Sequence, residues 1–155
     1  MKKVIFLDID GVLNLCRQER DQYGSLFHPY YERNLRMIID QTAAKIVISS
    51  TWRMSGLEIM QEMWKERNLP SEVIDITPSI HNSCRGEEIN YWLKNNKVDA
   101  YCIIDDDSDM LISQFPYFVR TSNNHTHIGN IEGYGLTKEC AENVINILNN
   151  GKSNN

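Results

Sequence analysis

Four short stretches of this 155-residue chain carry residues that could do chemistry. In "FLDIDGVLN", Asp8 and Asp10 sit at the end of an apolar run, where a buried carboxylate is costly unless a cation or hydrogen bonds hold it. In "IVISSTWR", Ser49 and Ser50 close a second apolar run and Arg53 follows. Arg85 precedes a helical pattern that begins at "RGEEI", and "CIIDDDSD" places Asp105, Asp106, Asp107 and Asp109 behind a third apolar run. Crowded carboxylates repel unless a hard cation neutralises them, and oxygen-only ligation points to Mg²⁺, an ion that keeps waters and works with a substrate phosphate. A hydroxyl from Ser49 or Ser50 and the cation of Arg85 would complete a phosphate clamp.

These groups can meet only if the strands that carry them lie side by side. Apolar runs at Val4–Leu7, Ile46–Ile48, Val73–Ile76, Tyr101–Ile104 and Tyr117–Val119 read as buried strands. Between them, Leu35, Ile38, Ile39 and Thr42, and later Ala141, Val144, Ile145 and Leu148, keep a helical period. Ile89, Trp92 and Leu93 mark another helix. Ser55 with Glu58 reads as a capping box opening a fourth, with Leu57, Met60, Met63 and Trp64. Alternating strands and helices predict an α/β fold with a parallel sheet covered on both faces. The C-terminal strand ends of such a sheet share one edge, where ligands bind. Asp8, Asp10, Ser49, Ser50 and Asp105 would therefore reach one rim.

The remaining features set bounds. The length suits one domain over residues 1–149, with 150–155 as a disordered tail. A net charge of −5 argues against an extended nucleic-acid surface, though not against a small site touching one strand end. The four cysteines form no CxxC, with Cys102 and Cys140 read as core fillers, and a reducing cytoplasm is the simplest expectation. The first apolar run is too short for a signal peptide or a membrane span. Residues 14–29 and 122–135 are polar stretches too long for ordinary connections and are expected to lie over the site.

The motifs resemble those of the haloacid dehalogenase (HAD) superfamily of phosphotransferases. "DIDGVLN" is similar to its DxDGx(T/V)L motif, "IVISSTWR" to the strand closed by Ser or Thr, "CRGEEI" to the basic residue at a helix start, and "CIIDDDSD" to the acidic pair after a strand. All four occur in order over about residues 4 to 110. The "SSTWR" stretch and Gly135-Leu136-Thr137 further resemble the small HAD domains associated with RNA-repair proteins. The resemblance implies a three-layer Rossmann-like domain, capless or with a minimal cap, and a Mg²⁺-dependent phosphatase. It implies Asp8 as nucleophile and Asp10 as acid and base. It also implies Mg²⁺ held by Asp8, Asp105, Asp106 and the Asp10 carbonyl, with Asp109 a weaker candidate ligand. Gly11 would let the backbone turn close to the substrate. Asn14, a departure from many relatives, is read as bonding locally in the turn. Between the two serines, Ser50 is favoured as the phosphate-binding hydroxyl because Ser49 would be the buried last strand residue; Arg53 is a candidate second phosphate contact.

The short segments between motifs leave an open site, suited to a phosphorylated substrate such as a nucleic-acid end or a nucleotide. The competing readings are a phospho-acceptor module similar to a receiver domain and a catalytically silent HAD-like binding protein. The DxD spacing and the absence of a lysine after the last strand count against the receiver. Asp107 reads as a turn residue, His125 and His127 as a solvated HxH, and Trp52, Trp64 and Trp92 as packing residues, with Trp52 close to the site.

Overall fold

The computed structural model describes residues 1–15, 19–122 and 133–151. Five strands form one sheet: β1 (Lys3–Leu7), β4 (Lys45–Ile48), β5 (Val73–Ile76), β6 (Ala100–Asp105) and β7 (Phe118–Arg120). They run in the order β5-β4-β1-β6-β7, and each neighbouring pair is parallel. The chain builds outward from β1 to β5, then crosses to the other side of β1 for β6 and β7. The order therefore reverses between β1 and β6, the place where ligands bind in open α/β sheets.

Pleat alternation divides the apolar residues between two layers. Ile5, Leu7, Ile46, Ile48, Cys102 and Ile104 face a core closed by α1 (Pro29–Thr42), α2 (Leu57–Glu66) and α4 (Lys138–Asn150). Val4, Phe6, Val47 and Ile103 face α3 (Arg85–Asn95) through Ile89 and Trp92. Strands so covered must be apolar throughout, which is why they read as continuous runs.

Two local expectations change. Ser55 does not open α2: it ends a 3₁₀ turn over Thr51–Ser55, and Gly56 stands at the helix start with no side-chain cap. A positive φ of 97° at Gly56 turns the chain from one helix straight into the next, leaving no capping position for Ser55. Residues 14–29 are not merely loop, because Arg20–Asp21 (β2) and Gly24–Ser25 (β3) pair as a small antiparallel hairpin. Strands of two residues carry no period to read. Asp21 Oδ1 accepts from the Tyr23 and Gly24 amides, an Asx turn that "DQYG" encodes. Helix α4 runs through Asn150, the first residue of the expected tail. His125 and His127 lie outside the described residues, as do residues 152–155. No helix among the described residues is long and apolar enough to cross a membrane.

Candidate active site

The parallel ladder continues one residue past β1 and β4. The Asp8 amide donates to the Ile104 carbonyl at 2.9 Å and the Ser49 amide to the Leu7 carbonyl at 3.1 Å. Register then places Ser49, Asp8 and Asp105 side by side, in step with the Ile48–Leu7–Ile104 row before them. All three continue the face that carries Val47, Phe6 and Ile103, the face that α3 covers. Asp105 is fully buried, Ser49 likewise, and Asp8 is 6% exposed.

Helix α3 delivers the counter-charge. Arg85 Nη1 lies 2.6 Å from Asp105 Oδ2 and 3.0 Å from Asp8 Oδ1. Its position is fixed by the loop after β6: Asp109 Oδ2 accepts from the Arg85 amide at 3.2 Å, and the Asp109 carbonyl from the Gly86 amide at 3.0 Å. Gly86 permits this approach, because a Cβ there would come within 2.6 Å of the Leu111 nitrogen. Burial opposes the Arg85 charge, but Asp105 and Asp8 outweigh it and hold the guanidinium above its ordinary range. Burial pushes the Asp8 carboxyl up to about 8, helped by the Asp105 charge and resisted by Arg85. Burial also raises Asp105, against the pull of Arg85. One arginine does not balance this many acids.

Asp8, Asp105 and Asp106 can each offer one oxygen, all within 4.8 Å of one another. A set of hard oxygens that includes two acids, Asp8 and Asp105, whose charge burial resists suits a small divalent cation such as Mg²⁺, so the residues present fit that ion. Asp107, as read, turns the chain: its amide donates to Asp105 Oδ1.

Asp10 belongs to a separate arrangement. Its carboxylate is exposed, and both oxygens accept: Oδ1 from Asn14 Nδ2 at 2.9 Å and Oδ2 from Trp52 Nε1 at 3.0 Å. Asn14 thus bonds locally. Gly11, with φ of 82°, makes the turn between them, and its carbonyl accepts from Thr121 Oγ1 at 2.9 Å. The Leu136 amide donates to the Val12 carbonyl at 2.8 Å, so the Gly135-Leu136-Thr137 stretch braces this turn. Thr137 also caps α4.

Two expectations are rearranged. Ser50 Oγ accepts from the Trp52 amide at 3.2 Å and starts the 3₁₀ turn. Ser49 Oγ is buried with no hydrogen-bond partner among the described residues, in line with Asp8 and Asp105. The sequence reading favoured Ser50 on the ground that a buried Ser49 would be hidden. Ser49 lies on the sheet face that carries Asp8 and Asp105. Arg53, in turn, is no free phosphate contact. Its guanidinium donates to the Thr77, Ser49 and Ser50 carbonyls and to Glu88 Oε2, the last at 2.8 Å. Both partners of that pair are buried, with side chains 7% and 9% exposed. Glu88 was missed, although its spacing from Ile89 and Trp92 places it on the inward face of α3.

A three-layer α/β domain with acids at the strand-order reversal is consistent with the HAD-like class. A family model described as the HAD domain in Swiss Army Knife RNA repair proteins matches residues 4–126, and the chain belongs to that family. The family places it among phosphatase-type hydrolases. No curated protein and no solved structure matches the chain.

Proposed function

We propose that the protein is a Mg²⁺-dependent phosphomonoester hydrolase working through an aspartyl-phosphate on Asp8. The observation that carries this reading is the row Ser49–Asp8–Asp105, with Arg85 bonded across the two acids. A carboxylate at a rim, beside a buried hydroxyl and the half-buried Arg85 cation, supports attack on a phosphorus whose oxygens those groups receive.

Asp8 attacks phosphorus as Asp10 gives its proton to the departing ester oxygen, and the P–O bond to the leaving group breaks. Asp10, now a carboxylate, takes a proton from the water that attacks the acyl phosphate. The bond from Asp8 to phosphorus breaks, inorganic phosphate leaves, and Asp10 is again protonated. Ser49 Oγ and Arg85 hold the phosphoryl oxygens throughout. Asp8, Asp105 and Asp106, with the Asp10 carbonyl, would hold Mg²⁺, which when bound supplies positive charge to the acids and to the phosphoryl group.

The substrate we propose is a terminal phosphate on a polynucleotide, or a nucleotide. The RNA-repair association of the family supports this, as does the modest cover: among the described residues, the hairpin is the one folded element between β1 and α1. The test is a screen of phosphate esters, including p-nitrophenyl phosphate, mononucleotides, and 3′- and 5′-phosphorylated oligonucleotides, with Mg²⁺ or with EDTA. Hydrolysis that EDTA abolishes is the expected result. Equal turnover in metal-free buffer, or none on any ester, would overturn it.

A further inference from the structure

Asp10 moves the proton in both steps of the proposed reaction, yet it is an exposed side chain on a turn, a poor place to fix a carboxylate. Two neutral donors compensate. Asn14 and Trp52 each bond a different oxygen, at 2.9 Å and 3.0 Å, which defines the plane of the carboxylate as well as its position. Each oxygen keeps a second lone pair, so the carboxylate can still carry a proton in the acid step.

Trp52 is itself held by what surrounds its ring. Gly24 in β3 lies so close that a Cβ there would stand 2.8 Å from Trp52 Cη2. The Phe27 ring is 5.9 Å away between centroids, and the Arg67 guanidinium lies 5.7 Å from the Trp52 ring and 4.6 Å from that of Phe27. Arg67 then grips the hairpin through Asp21, with Nη2 2.7 Å from Oδ1 and Nε 2.9 Å from Oδ2. A chain of contacts runs from the end of α2 through the hairpin and the indole to Asp10. With its N–H committed to Asp10 and part of its half-buried ring packed against these neighbours, Trp52 has its orientation set by the fold.

We propose that Trp52 and Asn14 are positioning residues: a two-point clamp that aims the Asp10 carboxylate at the leaving-group oxygen, fastened through Trp52 to the β2–β3 hairpin. The clamp rests on the phosphatase reading above and adds to it the residues that make its proton transfer efficient. It serves the protonated leaving group rather than the phosphoryl group, so it matters more the more basic the leaving oxygen is. A misaimed acid costs little with an acidic phenol, which departs unaided, and much with a basic one.

The test measures kcat/KM with saturating Mg²⁺ for wild type and W52F across substituted phenyl phosphates, from p-nitrophenyl phosphate to unsubstituted phenyl phosphate. Trp52→Phe keeps an aromatic ring and removes the donor. The expected result is a loss of on the order of tenfold on phenyl phosphate and less than about threefold on p-nitrophenyl phosphate, a steeper dependence on leaving-group basicity. An equal loss on both esters, as general loosening of the fold would give, overturns the clamp while leaving the phosphatase reading intact. No loss on either does the same. A wild type inactive on every ester overturns the underlying reading and the clamp with it. If W52F does not fold by circular dichroism, Asn14→Ala carries the same comparison, since it removes the other donor and leaves the indole and hairpin in place. An unchanged leaving-group dependence in N14A then overturns the clamp.

Discussion

Two arginines reach the same corner of the molecule, between the ends of the central strands and the head of α3, and they do opposite things. Arg53 meets one acid, Glu88, and gives its other bonds to the carbonyls of Ser49, Ser50 and Thr77. Charge there balances one to one, and the guanidinium ties two strand ends to a helix. Arg85 meets Asp8 and Asp105 together, with Asp106 close by, and charge does not balance. The difference is informative because the residue type is the same. A buried arginine with backbone acceptors and one acid is a brace; a half-buried one shared between excess acids marks a place where a further cation and an anion can be accommodated.

The sharpest way to break this comparison starts at the acid that Arg85 faces. Asp8→Asn should lower kcat by on the order of 10⁴-fold or more, because an amide cannot form the acyl phosphate and nucleophile removal is the largest single loss in such machinery. Hydrolysis of p-nitrophenyl phosphate measures it, and near-normal turnover would move the nucleophile elsewhere. Next come the arginines themselves. Arg85→Ala should cost about 10²–10³ in kcat, the usual cost of losing a charge-stabilising donor. It should also lower the Tm of the metal-free protein, and Mg²⁺ should restore much of that loss by replacing the missing positive charge.

Arg53→Ala should behave differently in kind. Removing one partner of a buried ion pair leaves Glu88 unpaired, at a cost of about 3–5 kcal/mol. Thermal or denaturant unfolding would show this as a drop that Mg²⁺ does not recover, since Glu88 is not part of the acid cluster. A drop equally reversed by Mg²⁺ in both variants would erase the distinction between brace and site.

How much of this was legible in the sequence follows from the range of the interactions involved. The five strands and the rim acids could be read because a sheet covered on both faces demands unbroken apolar runs, and a charge at the end of one stands out. Parallel topology then brings Asp8 and Asp105 together with no need to know side-chain detail. The choice between Ser49 and Ser50 was not legible in the same way. It depends on which face of the sheet α3 occupies, a fact settled by the crossover from β5 to β6. The bonding of Arg53 was not legible, because a basic residue after "SST" is equally compatible with a phosphate and with a glutamate 35 positions later. The hairpin escaped notice because its strands are too short for any period, although its Asx turn is written in Asp21 and Gly24.

A smaller effect tests the excess of acids directly. Asp8 is raised in the folded protein from an ordinary carboxylate value to about 8, chiefly by burial and then by Asp105. The folded state therefore holds a proton more tightly than the unfolded chain between about pH 4 and pH 8. Its contribution to stability is complete below pH 4 and is lost as pH rises through 8. The metal-free protein should show this part of its stability falling across that window, and Asp8→Asn should flatten it. Mg²⁺ needs the ionised ligands, so its stabilising effect should grow with pH over the same range. Tm measured against pH with and without Mg²⁺ reads both slopes. A metal-free profile that rises through this window equally in wild type and Asp8→Asn would count against the acid-crowded rim.

The smallest expected effect concerns what lies beyond the rim. A chain of net charge −5 has no broad basic field, and near the site the described residues offer Arg85 inside, Arg120 beside Asp106 and Arg20 on the exposed hairpin. A polynucleotide end would then be held by its terminal phosphate and by few others. Each neutralised phosphate of a single strand contributes roughly −0.7 to the slope of log affinity against log salt. One or two contacts predict that kcat/KM for a 3′-phosphorylated oligonucleotide falls only about three- to sevenfold from 50 to 200 mM salt, whereas a track of six would lose more than a hundredfold. For the same reason, extending the oligonucleotide beyond about three nucleotides should change kcat/KM little, because the described residues form no continuous basic track for the added phosphates. A steep salt slope that deepens with length would overturn the short footprint. A mononucleotide preferred by orders of magnitude would leave the chemistry at Asp8 unchanged and confine recognition to the pocket that Asp10, Arg20, Tyr23 and Trp52 line.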